Sequence, residues 1–186
     1  MYERTKSIAN DGLYEQIHEG DTKMAIEKVR TYFRQWGMEN RILEFDSSSA
    51  TVELAAIALD CDPQRIAKTL SFKIDEKCIL IVAAGDAKID NSKYKARFAT
   101  KAKMLSPDET TEMIGHAIGG VCPFAINDDV EVYLDESLKR FTTIFPACGS
   151  SNSAIELTIP ELEKYSNCKE WIDVCKGWGE SVCRSI

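Results

Sequence analysis

A lysine, a pair of glycines and a basic segment are the features of this chain whose residue types and spacing could do chemistry. Lys68 is a lone cation in the apolar stretch Ile66–Leu70, where a predicted helix meets a predicted strand. A core that holds the lysine stem could direct its ammonium at a phosphate or carbonyl oxygen. A lysine that snorkels at a sheet edge would give the same pattern. Gly119 and Gly120 could bring backbone N–H groups close to an oxyanion, or could serve only a tight turn.

Cys122 follows the glycine pair and stands six residues after His116, which permits a thiol nucleophile with a histidine base. No acidic residue is in an obvious position to orient the histidine, so a buried structural cysteine is the simpler interpretation. Phosphate-loop, dinucleotide, zinc-protease and serine-hydrolase motifs are absent from the sequence. The seven cysteines and two histidines lack zinc-site spacing, and seven is an odd number for a disulfide framework. We therefore expect no metal and no other cofactor.

The basic segment, residues 86–105, holds six basic and two acidic residues. Its net charge is +4 in a chain of net charge −7, so the remainder carries −11. A positive island on an acidic protein predicts one local contact with a polyanion rather than a general DNA- or RNA-binding surface. A solvated helix face is the alternative.

The composition is that of a globular protein with one main domain. The chain has 186 residues, of which 44% are hydrophobic and 28% are charged. The longest apolar run, Cys78–Ala84, is far shorter than the ~18 residues of a membrane span. No secretory signal is visible at the start of the sequence. We therefore expect a soluble, cytoplasmic protein without a membrane partner.

Helical and strand-like patterns alternate irregularly along the chain. Two capping boxes, at Ser106 and Thr158, predict helix starts, and the runs 69–74 and 78–84 predict a hairpin. The other predicted helices are a helix from Asp21 to Gly37, a helix 51–59 capped by the serines at 47–49, a short helix from Pro63 to about Lys68, and a cationic helix 90–98. The other predicted strands are 41–45, 130–134, 142–146 and 154–157, with a helical turn at 135–139. This order predicts an α+β (mixed α/β) fold with a partly antiparallel sheet.

Six short motifs occur in an order that resembles one known family. They are Ser49–Ala56, Ile66–Leu70, Gly85–Asp90, Gly119–Phe124, Asp135–Leu138 and Ala147–Ser150, followed by the stretch 154–157. Together they resemble the YbaK/ProX family, free-standing relatives of the editing domain inserted in some prolyl-tRNA synthetases. The resemblance covers about residues 24–166. It divides the chain into an N-terminal arm, 1–20, and one editing-like domain, 21–186, with a C-terminal extension after about 166.

The resemblance implies a curved, mostly antiparallel sheet surrounded by helices, and a hydrolase that cleaves the ester of mischarged aminoacyl-tRNA, typically tRNA for proline. Lys68, Gly119 and Gly120 would be the catalytic residues, with Lys68 holding the terminal adenosine and the ester. Residues implied to bind substrate are Phe45, Thr51, Val121, Pro123, Gly149 and Ser150. The charge of the basic segment, and not the resemblance, predicts the residues that bind the tRNA, which are Lys88, Lys93, Arg97 and Lys101. Phe45 stands where some members have a tyrosine, so a cysteine-type substrate preference is not carried over.

Two alternatives remain beside a trans-editing aminoacyl-tRNA deacylase, whose partners would be aminoacyl-tRNA and a prolyl-tRNA synthetase. One is a module that binds the aminoacyl end of tRNA without turnover. The other is a small-molecule thiol hydrolase that uses Cys122. An aminoacyl ester is already activated, so orientation and carbonyl polarisation suffice for its hydrolysis by water. The deacylase therefore needs neither the triad nor the metal that the sequence lacks.

Overall fold

A computed structural model describes residues 24–179 of the chain. The predicted N-terminal arm and the first three residues of the helix predicted from Asp21 lie outside this range. A helix occupies residues 24–34 (α1), and its side chains Val29 and Phe33 are fully buried. Gly37 follows with a φ of +66°, the left-handed conformation expected where this helix ends. Within residues 24–179, no helix is both long enough and apolar enough to cross a membrane.

A six-stranded sheet forms the centre of the molecule, with two small two-stranded sheets beside it. In spatial order the six strands are Leu157–Thr158 (β8), Thr143–Pro146 (β6), Ile66–Ile74 (β2), Lys77–Ala84 (β3), Glu131–Asp135 (β5) and Glu170–Ile172 (β9). The small sheets pair Leu43–Glu44 (β1) with Ser153–Ala154 (β7), and Lys88–Ile89 (β4) with Cys175–Lys176 (β10). Of the seven strand pairings in the described residues, four are antiparallel and three are parallel. The predicted mixed α+β class is confirmed, with mostly antiparallel pairing over the three sheets together, whereas three of the five pairings within the six-stranded sheet are parallel.

The hairpin of β2 and β3 is the longest pairing, and its second strand is the core of the protein. It is joined by a two-residue turn, in which Asp75 has a φ of +53°. From Cys78 to Ala84, every residue of β3 is at most 3% exposed. A strand buried on both faces needs an uninterrupted apolar sequence, which this run has. The hairpin was predicted, and it places β2 at the wall of the site described below.

Capping side chains begin each of the remaining α-helices. These helices are Val52–Leu59 (α2), Asn91–Phe98 (α3), Pro107–Ile114 (α4) and Ile159–Tyr165 (α5). Ser106 and Thr158 form the two predicted capping boxes. The α3 helix packs its buried Tyr94 against Phe72 of β2, with 5.1 Å between the ring centres. The α1 and α5 helices meet through Phe33 and Tyr165.

Four local predictions are wrong. The helix predicted from Pro63 to about Lys68 is a single 3-10 turn, Pro63–Arg65, because Ile66 and the residues after it pair with neighbouring strands. The cap of α2 is Thr51, whose hydroxyl accepts from the Leu54 N–H, whereas the serines at 47–49 lie before it. The strand predicted over 41–45 is only the two-residue β1, and the strand predicted over 154–157 is divided between β7 and β8.

The capping carboxylate of α5 predicts a loss of stability in acid. A hydrogen bond from Arg41 and bonds from Thr158 lower the pKa of Glu161 from 4.5 to about 2. This stabilisation is complete above the ordinary pKa, and it is lost as the pH falls from about 4.5 to about 2. Glu161→Gln should therefore lower the melting temperature at pH 7 and have little effect at pH 2. The same loss of melting temperature at pH 7 and at pH 2 would contradict this role of Glu161.

Candidate functional site

A cavity of about 200 Å³ opens beside β2. Five residues of β2 line it, namely Ile66, Ala67, Lys68, Thr69 and Ser71. The N-terminal end of α2, the first part of α4, the loop that contains Gly119, and residues of β6 and β7 form the other walls. Met104 and Ile118 also line it and are each 58% exposed, which places apolar side chains at its mouth.

Lys68 lines this cavity and lies in β2, three residues into the strand rather than at a helix–strand junction. The side chain is half-buried, and its Nζ donates to the backbone oxygens of Gly85, at 3.0 Å, and Ala87. Burial lowers the pKa of this ammonium from its ordinary value. An ammonium has three donors, and these two carbonyls occupy two of them. The side chain is thus held by the backbone at a cavity wall and does not snorkel into solvent.

Gly119 lines the cavity, whereas the neighbouring Gly120 does not. Gly119 has a φ of +90°, which favours glycine. A Cβ on Gly120 would lie 2.6 Å from the carbonyl carbon and oxygen of Gly149, whose N–H donates to the Gly120 oxygen at 3.1 Å. Gly120 therefore lacks a side chain where two loops pack backbone to backbone, and it is set back from the cavity that Gly119 lines.

Thr51 and Val121, two of the predicted substrate-binding residues, line the same cavity as Lys68 and Gly119. The turn Gly149–Ser150 stands behind the glycine loop instead. A Cβ on Gly149 would lie 2.8 Å from the backbone oxygen of Ala25 in α1. The buried Ser150 hydroxyl donates to the Ser153 hydroxyl oxygen at 2.6 Å. This turn supports the site without lining it.

Phe45 and Pro123, also predicted to bind substrate, are not among the residues that line the cavity. The backbone of Phe45 bonds to Asn152, whose oxygen accepts the Phe45 N–H at 2.8 Å and whose Nδ2 donates to the Phe45 oxygen at 2.8 Å. Pro123 lines a separate hollow together with Tyr32 and Asn127.

Only four of the twenty residues that line the cavity are among the predicted site residues, and Thr69, Ser71, Met104 and Ile118 are among those that were not predicted. The period-two pattern of β2 could have placed Thr69 and Ser71 on one face. Nothing in the sequence marks Met104 or Ile118, because their position at the mouth depends on where two loops lie. The Thr69 hydroxyl oxygen is buried, and within residues 24–179 it has no hydrogen-bond partner.

Cys122 does not line the cavity and is fully buried. Burial raises the pKa of its thiol to about 12, so the nucleophilic thiolate does not form near neutral pH. His116 is also fully buried, with its Nε2 2.9 Å from the Phe124 oxygen and 4.0 Å from the cysteine sulfur. The His116 Nδ1 has no partner in the described part of the chain, so no acid orients the ring. The burial of Cys122 and the raised pKa of its thiol therefore count against the thiol-nucleophile alternative.

Two of the four cations predicted to bind tRNA are engaged within the protein. Lys93 pairs with Asp173 at 2.7 Å, and Arg97 pairs with Glu170, both in the C-terminal extension. Lys88 and Lys101 are exposed, and neither forms an ion pair with another residue of 24–179. In the described chain, no group of three or more His, Cys, Asp and Glu side chains could hold a metal ion.

Comparison with known proteins identifies the family. The family model described as an aminoacyl-tRNA editing domain matches residues 46–165. Uncharacterized protein YwhH of Bacillus subtilis (strain 168) is 60% identical over 156 residues, which are 83% of this chain and 99% of that protein. The proline–tRNA ligase of Geobacillus sp. (strain WCH70) is 24% identical over 125 residues, or 67% of this chain but only 22% of the ligase.

One solved structure shares the fold over most of both chains. It is described as a candidate trans-editing enzyme for prolyl tRNA synthetase, and it is 25% identical with a TM-score of 0.74. The match covers 82% of this chain and 98% of that one. The family model spans every strand from β2 to β8 and the cavity between them, so the chain belongs to the aminoacyl-tRNA editing domain family.

Proposed function

We propose that the protein is a trans-editing hydrolase that cleaves the ester between a wrong amino acid and the terminal adenosine of tRNA, with tRNA for proline as the carrier. The observation that carries this proposal is Lys68, which lines a small cavity and whose ammonium is held by two backbone carbonyls. The family and the similarity to proline–tRNA ligases support both the reaction and the tRNA.

The size of the cavity supports a division of the substrate between its interior and its mouth. Its volume of about 200 Å³ is below the roughly 300–1,000 Å³ of pockets that enclose a drug-sized ligand. The aminoacyl group fits inside, and the nucleoside stays at the mouth. There Met104 and Ile118 offer apolar surface to the terminal base. Methionine is suited to such a contact because its side chain is flexible and polarisable.

The reaction needs a water, a polarised carbonyl and a leaving hydroxyl. Water attacks the ester carbonyl carbon, the bond from that carbon to the ribose oxygen breaks, and the ribose leaves as the alcohol with a proton from the water. The third N–H of Lys68 stabilises the negative charge that develops on the substrate oxygens. A hydroxyl or thiol of the substrate assists the attacking water. No protein nucleophile is consumed.

The proposal places the protein in the cytoplasm beside a prolyl-tRNA synthetase. Apolar contacts discriminate between amino acids by only ~1–3 kcal/mol per methylene. A synthetase therefore cannot strongly reject a smaller or isosteric amino acid by binding alone. A second, hydrolytic site on a free-standing protein would remove the resulting errors.

A deacylation panel tests the proposal. tRNA for proline, charged separately with Ala, Cys, Ser, Thr and Pro, is incubated with the protein, and release of free amino acid is measured. We expect hydrolysis of at least one of the four wrong amino acids and protection of the prolyl ester. Tight binding of these tRNAs without turnover would instead support the non-catalytic module, and neither binding nor turnover would reject both.

Removing the buried thiol should leave the reaction intact. We expect Cys122→Ala to retain deacylation within about threefold, because the residue is shielded from the cavity and its thiol is protonated. Melting temperature serves as the control, since the substitution leaves a small void in the core. A loss of several orders of magnitude in a folded variant would restore the thiol mechanism.

The exposed cations, rather than the paired ones, should dock the tRNA. Lys88→Ala with Lys101→Ala should raise KM for aminoacyl-tRNA and leave turnover at saturation unchanged, because these contacts bind substrate and transition state equally. The matched variant, Lys93→Ala with Arg97→Ala, should affect KM less because its carboxylate partners already neutralise it. The logarithm of the binding constant falls linearly with the logarithm of the salt concentration, and each lost phosphate contact should make this slope shallower by about 0.9.

A short aminoacyl-adenosine substrate controls this experiment, since it has no acceptor arm to dock. Equal losses on both substrates would show that the exposed cations support the cavity itself. An unchanged KM in the first double variant would leave the basic segment a solvated face.

A further inference from the structure

The turn Gly85–Ala87 supplies both acceptors of the Lys68 ammonium. The Gly85 oxygen lies 3.0 Å from Nζ, and the Ala87 oxygen also accepts from it. These carbonyls belong to the first and third residues of one three-residue turn between β3 and β4. The position of the ammonium therefore depends on the conformation of that turn.

One side of the turn is fixed by close packing. The Gly85 N–H donates to the Gln64 oxygen at 3.3 Å. A Cβ on Gly85 would lie 2.0 Å from the Pro63 oxygen and 2.8 Å from Cγ1 of Val52. The turn thus rests directly on the 3-10 turn before β2 and on the start of α2.

The other side is held by Arg140. Its Nη1 and Nη2 lie 3.0 and 2.5 Å from the two carboxylate oxygens of Asp86, and its Nε donates to the Ser137 oxygen at 2.9 Å. The pair is largely shielded, with side-chain exposures of 22% for Arg140 and 24% for Asp86. The Ser137 hydroxyl accepts from the Ala84 N–H, directly before the turn.

Aromatic rings hold the guanidinium itself in place. The Phe141 ring centre is 4.8 Å from its central carbon, and the Trp178 ring centre is 5.3 Å away. Trp178 belongs to the C-terminal extension, outside the residues that match the family model. In the same extension, β10 pairs with β4, the strand that follows the turn.

We infer that Arg140 is a positioning residue for Lys68: through its two-point pairing with Asp86 it fixes the turn whose carbonyls hold the lysine. Arg140 is not among the residues that line the cavity, so it acts through the turn and not on the substrate. The kinetic part of this inference rests on the proposed function, whereas its structural part does not. Arginine suits the task because its planar fork meets both carboxylate oxygens at once.

The test measures the pKa of the Lys68 amine by competitive acetylation over a pH series, read for that lysine by mass spectrometry. The groups that act on it are Cys175, Asp86, Lys88 and Glu53, and burial keeps Cys175 a neutral thiol. Burial lowers the Lys68 pKa in the native protein. Arg140→Ala should raise it, because water reaches the loosened ammonium and the Asp86 carboxylate loses its partner. Arg140→Lys, which keeps the charge but not the fork, should give a smaller rise.

Arg41→Ala is the matched control, since Arg41 also meets a carboxylate through both terminal nitrogens, at 2.7 and 3.4 Å from Glu161, and does not line the cavity. It should leave the Lys68 pKa unchanged. Circular dichroism checks the fold of each variant, and Arg140→Lys keeps the test decisive where Arg140→Ala does not fold. A Lys68 pKa that is unchanged in the folded Arg140 variants would overturn the inference.

Kinetics separate this inference from the proposed function. Arg140→Ala should lower kcat for deacylation about tenfold with KM within twofold, and should cause no further loss in a Lys68→Ala background. A rise in the Lys68 pKa in a protein without deacylase activity would uphold the positioning role and reject the proposed function. If the native protein is active but its kcat is insensitive to Arg140→Ala, the proposed function stands and the positioning role is rejected. A rise in KM alone would also reject the positioning role, because it would show that Arg140 contacts the substrate.

Discussion

Replacing Lys68 with alanine will lower deacylation by about 10²–10³-fold, the cost of losing one preorganised donor to a developing oxyanion. The fold should survive, because the side chain lies at a cavity wall and not in the core. The oxygens of Gly85 and Ala87 then lose a donor, which costs about 1–3 kcal/mol if water does not replace it. Lys68→Arg should also fail, since a planar guanidinium cannot take the place of a compact ammonium between two carbonyls.

The measurement is single-turnover release of amino acid from pre-charged tRNA, with melting temperature recorded for each variant. Lys73→Ala is the matched control: Lys73 lies in the same strand but bonds to Glu109 at 3.2 Å and does not line the cavity. It should retain activity. Near-normal turnover in Lys68→Ala or in Lys68→Arg would remove Lys68 from the mechanism.

Gly120→Ala is expected to destabilise the protein by about 3 kcal/mol, the upper part of the usual range for overpacking. The added methyl would lie 2.6 Å from the carbonyl group of Gly149 and 2.7 Å from the Ser150 nitrogen. Both are backbone atoms, so no side chain can turn aside to relieve the overlap. The loop that carries Gly119 must move, and deacylation should fall together with stability.

Denaturant unfolding measures this effect, and Gly37→Ala is the control. Gly37 has a φ of +66° and no atom within 4 Å of an added Cβ, so its variant suffers conformational strain alone, worth about 1 kcal/mol. A fully stable Gly120→Ala variant with reduced activity would show instead that the missing side chain makes room for substrate. A stable and fully active variant would contradict both interpretations.

The C-terminal extension, which lies outside the residues that resemble the family, contributes both strands and carboxylates to the described fold. It supplies β9 at the edge of the main sheet, β10 against β4, and the carboxylates of Asp173 and Glu170 that pair with the α3 cations. The extension therefore covers one face of the basic segment and supports the turn beside Lys68. Of the four cations predicted to bind tRNA, Lys88 and Lys101 have no carboxylate partner among residues 24–179.

Local features of this protein were predictable from the sequence. The capping boxes at Ser106 and Thr158 involve residues three positions apart, so their hydrogen bonds form within one turn of the chain. The hairpin of β2 and β3 and the buried run of β3 follow from apolar residues adjacent in sequence. Lys68 was singled out because a charge in an apolar strand is conspicuous whatever surrounds it.

Contacts between distant segments were decided only by the tertiary structure. Gly120 packs against Gly149, Lys93 pairs with a carboxylate 80 positions away, and the acceptors of Lys68 lie 17 and 19 residues farther along the chain. None of these partners has a periodicity or motif that marks it, since each meeting depends on how strands and loops stack in space. The same reason separates Cys122 from the cavity: its depth in the core, which sets its pKa, is a property of the whole fold and not of its neighbours in sequence.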